Sequence, residues 1–140
     1  MRSALLVLIV ISTLGCGSSE KQQAAKRRSA QQSFDAGVAA FESGDYAVAE
    51  HELTAALELG GLYPDLYETA QATRAVSVAA QGKFDAAHAL LDKLKQSGLE
   101  KDLLFSARSA VLAKQGKIKV AKAAWAKARR FNRNVNKFKY

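Results

Sequence analysis

The side chains best suited to chemistry in this 140-residue chain are His51, His88 and a single cysteine, Cys16. A metal site needs several His, Cys or carboxylate ligands brought together at short, regular spacings. His51 and His88 each stand alone, with no second His, Cys or paired acid at such a spacing. Glu50 and Glu52 flank His51 in the chain, but adjacent residues of a helix do not face each other, so no acid–base pair is expected there. Neither a phosphate-cradling glycine loop nor a nucleophile elbow is present. Both histidines are therefore expected to face solvent or to pack, and Trp125 to fill the core. No metal and no cofactor are implied, and the chain is expected not to be an enzyme.

Cys16 points to a different chemistry. As the only cysteine it cannot form an intrachain disulfide. Before it come Arg2, an unbroken apolar run at residues 4–11 (ALLVLIVI), then Ser12, Thr13, Leu14 and Gly15. A basic start and an apolar stretch of about 7–15 residues make an export signal. Extended to Leu14, the run is still short of the roughly 20 residues a membrane-spanning helix needs. Gly15-Cys16 resembles the lipobox of bacterial lipoproteins, although Thr13 and Leu14 stand where that motif usually carries Leu and a small residue. The resemblance implies a signal peptide at residues 1–15, a lipidated Cys16 and a stable membrane anchor, since two or more acyl chains hold firmly where one is marginal. Gly17, rather than Asp, after the cysteine implies the outer membrane, facing the periplasm. A free thiol, or cleavage without lipid, is the alternative. Residues 17–28 (GSSEKQQAAKRR) lack an apolar stripe and read as a flexible, solvated tether. Within it Lys26, Arg27 and Arg28 either approach anionic lipid or begin a charged helix.

The remainder, residues 29–140, is organised by a phrase written three times: GDYAVAEHELTAAL from Gly44, GKFDAAHALLDKLK from Gly82 and GKIKVAKAAWAKAR from Gly116. Each copy has Gly, a polar residue, a large apolar residue (Tyr46, Phe84, Ile118) and then Ala three positions later (Ala49, Ala87, Ala121). The glycines are spaced by 38 and 34 residues, and such a period between helical patterns signals a helical solenoid. Phe34, Val38 and Phe41 fall on one face of the helix before the first turn; Ala49, Leu53, Ala56 and Leu57 form a stripe on the helix after it. Gly60-Gly61 ends one unit, and the only proline, Pro64, suits the first turn of the next helix. No strand pattern competes.

These residues resemble the tetratricopeptide repeat (TPR) family. Gly37, Ala75 and Ser109 stand at the family's small helix-A position, and Ala49, Ala87 and Ala121 at its helix-B alanine; the early aromatic of helix A is represented only by Phe105, with Ser33 and Gln71 in the other units. The resemblance implies an all-α, short right-handed solenoid of about three hairpins, at residues 30–61, 65–98 and 101–132, followed by a C-terminal segment at 133–140. It also implies a concave groove lined by the first helix of each hairpin, with Phe34, Val38, Phe41, Thr69, Ala72, Val76, Ser106 and Ala110 as candidates. The ring of Lys, Arg and Asn with which some relatives clamp a peptide carboxylate is absent, so a small apolar groove is expected, suited to an amphipathic helix or to the chain's own tail. Phe34 and Phe41 could equally be core. In that tail, Val135 and Phe138 either cap the last helix, or Phe138 and Tyr140 form an exposed docking segment.

The net charge of +8 is unevenly spread. Residues 29–73 hold eight acids and no Lys or Arg, whereas residues 101–140 hold twelve Lys or Arg and one acid, Asp102. Such fields steer partners without setting the fold. The basic candidates are Lys114, Lys117, Lys119, Lys122, Lys127, Arg129, Arg130 and Arg133. The expected function is a membrane-anchored scaffold or adaptor for an envelope protein or peptide. Its alternative is a structural tether whose basic end binds cell-wall polymer or anionic lipid. An exported chain without a nucleic-acid motif is not expected to bind nucleic acid.

Overall fold

The computed structural model describes residues 17–98 and 100–138, so the expected signal peptide and Cys16 lie outside the described residues. Six helices follow one another: α1 (Gly17–Ser43), α2 (Tyr46–Leu59), α3 (Pro64–Ala80), α4 (Phe84–Gln96), α5 (Lys101–Lys114) and α6 (Ile118–Phe131). No strand occurs among the described residues. None of the helices among them is long and apolar enough to cross a membrane.

The repeated phrase produces one turn three times. Gly44, Gly82 and Gly116 have φ of 87°, 80° and 79°, a region open to glycine because it has no Cβ. Their amides donate to Phe41 O, Ala79 O and Ala113 O at 3.2, 2.9 and 2.9 Å. The next amides, of Asp45, Lys83 and Lys117, donate to Ala40 O, Val78 O and Leu112 O at 2.9, 3.3 and 2.9 Å. This pair of bonds is a Schellman closure, which satisfies carbonyls that a helix end leaves free. The same three residues then open α2, α4 and α6 with φ of −83° in each case. Asp45 also accepts a bond from Val48 N through its side chain, a cap that Lys83 and Lys117 cannot supply. The first-turn amides of Ala49, Ala87 and Ala121 bond back to the three openers. All three alanines are buried, so each stands where the second helix presses on the first.

Close packing follows from small side chains. A Cβ added at Gly37 would lie 2.7 Å from Leu53 Cγ and 3.1 Å from Leu53 N, so α1 and α2 touch through that glycine. Leu53 joins Phe34, Ala56 and Ala70 in the first core cluster. The central cluster joins α3, α4 and α5 through Val76, Ala87, Leu91, Leu104 and Val111, among others. In the third pair the hydroxyl of Ser109 donates to Ala121 O at 2.9 Å. Helices adjacent in the chain pack together, and α3 also packs against both α1 and α5, so the odd-numbered helices form a continuous row. Gly60 ends α2 and Pro64 opens α3 from its first turn.

One segment differs from expectation. Residues 17–28, read as a flexible tether, are the first part of α1, with residues 19–29 exposed. Ala, Gln, Lys and Arg are strong helix formers, and they prolong a helix whose later turns are fixed by packing. Arg27 lies against the α2–α3 connector, where a Cβ on Gly61 would come 3.1 Å from Arg27 Cγ.

Candidate functional site

The candidate site is the face of the odd-numbered helices, and the chain's own C-terminal segment lies on it. After α6 the backbone turns at Asn132, whose side-chain oxygen accepts from Asn134 N at 2.9 Å. The Asn132 amide donates to Asp102 Oδ2 at 2.8 Å, in the first turn of α5. One turn further along α5, the Ser106 hydroxyl donates to Asn136 O at 2.6 Å. The segment therefore follows α5 forward, back along the hairpin from which it came. Beyond it, Phe138 packs on the central cluster and meets Phe41 of α1 edge-on, with ring centroids 6.1 Å apart. Phe41 in turn meets Tyr46 edge-on at 5.7 Å. From the end of α5, Lys114 Nζ sits 4.7 Å over the Tyr46 ring and 3.3 Å from its hydroxyl. Residues 132–138 thus connect the third helix pair to the first.

Of the eight groove candidates, Phe41 and Ser106 meet this segment directly. Ala72, Val76 and Ala110 are buried in the central cluster, and Phe34 in the first, with Val38 packed against it. These five are core rather than open groove wall: Phe34 and Val38 pack with residues of α2 and α3, and Ala72, Val76 and Ala110 with residues of α3, α4 and α5. Thr69 spends its hydroxyl on Asp65 O of its own helix, at 2.8 Å. Phe138 is not an exposed docking residue: it is half-buried, and its packing is on the central cluster of α3, α4 and α5 and on Phe41 of α1. Tyr140 lies outside the described residues.

The basic candidates divide. Lys114 is half-buried over Tyr46 and is not part of an open basic surface. Lys117, Lys119, Lys122, Lys127, Arg129, Arg130 and Arg133 are exposed. Lys127 Nζ lies 5.6 Å from the Phe105 ring centre, and Phe105 stacks on Phe131 at 5.9 Å. Trp125 is half-buried rather than a core filler; it lines a shallow depression with Arg129, Arg130 and Arg133, and Lys137 Nζ lies 5.9 Å over its ring.

The remaining titratable groups are engaged locally. His51 is exposed and its Nδ1 lies 3.3 Å from Glu52 Oε1, a neighbour contact that the helical spacing rule does not anticipate and that bends around the solvent face. His88 Nε2 is 3.2 Å from Gln115 Oε1. Glu50 accepts from Gln81 at 2.7 Å and Lys83 at 2.9 Å, tying α2 to the α3–α4 turn. Burial pushes its carboxyl up, but the bonds from Lys83 and Gln81 and the charges of Lys83 and Arg74 outweigh this and hold it below the ordinary value. Among the described residues no group of three or more His, Cys, Asp or Glu is placed to hold a metal ion. Comparison with known protein families, curated proteins and solved structures finds no match for the chain.

Proposed function

We propose that this chain is a non-catalytic, lipid-anchored adaptor of the bacterial cell envelope, built as a short right-handed solenoid of three TPR-like hairpins. It would bind a protein or peptide segment on the row formed by α1, α3 and α5. The observation that carries this reading is the turn made three times with one set of bonds at Gly44, Gly82 and Gly116. Hairpins of one geometry stack into a superhelix with an extended face, and such faces serve as binding surfaces. The lipid anchor rests on Cys16 and the apolar run before it. Outer-membrane placement rests on Gly17.

The test is affinity capture of the lipidated protein from cross-linked cells, washed at low and at high salt. A discrete protein retained at high salt, and lost with Phe41→Ala in a chain that stays helical, supports the adaptor.

A second reading is favoured by the exposed side of α6, where Lys119, Lys122, Arg129 and Arg130 continue into Arg133. There the chain would hold anionic polymer or lipid directly. Binding of that kind falls steeply with ionic strength, so recovery of polymer or lipid alone, released by salt, supports the tether instead.

A further inference from the structure

The C-terminal segment is bound to the odd-numbered row as a ligand would be. It has no regular secondary structure, and it reaches the helices through side chains: two hydrogen bonds to α5, Phe138 on the central cluster and against Phe41 of α1, and Lys137 over Trp125 of α6. One of those bonds goes from Ser106 to a main-chain carbonyl, which any extended peptide can offer. The other brings a neutral amide to Asp102, a buried carboxylate and the only acid in residues 101–140. Asn134 and Asn136 stay exposed. A segment outside the helical hydrogen bonding, with most of its residues exposed, opens more readily than the helices beneath it.

We infer that residues 132–138 are a resident, displaceable ligand of a peptide-binding groove on α1 and α5. The partner that displaces them is an extended peptide segment carrying an aromatic side chain two positions after the carbonyl that Ser106 holds. A Lys or Arg four positions before that carbonyl would pair with Asp102 and improve on Asn132, because a charge-assisted bond is stronger than a neutral one. The aromatic side chain would take the place of Phe138 against Phe41. The inference rests on the adaptor reading and adds the chemistry of the partner and the device that keeps the groove closed without it.

The probe is a fluorescent peptide with the chain's own residues 132–140 (NRNVNKFKY), titrated into the full-length protein in detergent. With the resident segment in place, apparent affinity is reduced by the fraction of molecules that are open. Phe138→Ala, a change outside all six helices, is expected to tighten peptide binding about tenfold or more. Adding Phe41→Ala or Ser106→Ala is expected to remove the gain, and a peptide with Asn132→Arg to bind more tightly than the parent. In the unaltered protein, excess of a peptide carrying Lys137→Ala is expected to shift the fluorescence of Trp125, the only tryptophan, as the resident Lys137 leaves its ring and no cation replaces it.

Equal binding by wild type and Phe138→Ala, with no change at Trp125, overturns the inference. Concentration-dependent dimers of the wild type that vanish with Phe138→Ala also overturn it, since the occupant is then the tail of a second copy. If the peptide fails while a discrete protein is still captured in a Phe41-dependent way, the adaptor reading stands and the tail is a fixed cap.

Discussion

The three glycine turns give the sharpest stability prediction. A Cβ at Gly44, Gly82 or Gly116 would meet nothing within 4 Å, so replacement by Ala creates no clash. What remains is backbone strain, because φ near +80° is unfavourable for an L-residue by about 1–2 kcal/mol. Alanine also reduces the freedom of the unfolded chain, which offsets about 0.4–1 kcal/mol. The net loss is then on the order of 1 kcal/mol per site, or about 3–6 °C in Tm for a domain of this size. The three sites share both Schellman bonds, so Gly44→Ala, Gly82→Ala and Gly116→Ala should cost the same within about 0.5 kcal/mol. Asn tolerates positive φ better and should recover part of the loss at each. Urea unfolding followed by circular dichroism reads all six variants. Neutral alanine variants, or one site costing several times the others, would refute the equivalence of the turns.

Four further outcomes follow from the packing and the charges. Leu53→Ala and Leu91→Ala, both at fully buried positions, should each cost about 2–5 kcal/mol in the same unfolding assay. Gly37→Ala should destabilise despite its better helix propensity: crowding against Leu53 costs about 1–3 kcal/mol and the propensity gain is about 1 kcal/mol. Glu50 is held below its ordinary value of 4.5 in the folded state, so it stabilises above that pH and loses its contribution as pH falls through the folded value; Glu50→Gln should flatten the stability profile in that acid range. Cys16→Ala should abolish incorporation of labelled palmitate, and palmitate on the variant would remove the lipid anchor from the reading.

The turns and the helices after them were legible because their determinants are local. Gly, an opener, a large apolar residue and Ala at fixed spacing specify a helix stop and the next start whatever surrounds them. The small positions were legible for the same reason: Gly37 and Ser109 each touch the neighbouring helix of their own hairpin. The face of the odd-numbered row was not, because it depends on how far the hairpins close. Ala72, Val76 and Ala110 are so small, and their helices so near, that positions facing an open groove in a wider array are core here. The path of residues 132–138 has no local period to reveal it and depends on Asp102, Ser106 and Phe41, two of them on one helix and the third far back in the chain. Lys114 looked like part of the basic surface because its ring partner, Tyr46, belongs to the first hairpin. The arm at residues 17–28 carries no apolar stripe, but its helix propensity needed only α1 to extend from.

The central claim, that the chain works through the odd-numbered row, is tested most directly by placing a photoreactive aromatic residue at position 41 and, separately, at position 129 and cross-linking in growing cells. An adaptor predicts a discrete protein adduct from position 41 and none of comparable yield from position 129. Adducts from position 129 alone, to lipid or cell-wall polymer, would contradict it and leave the basic side of α6 as the working surface.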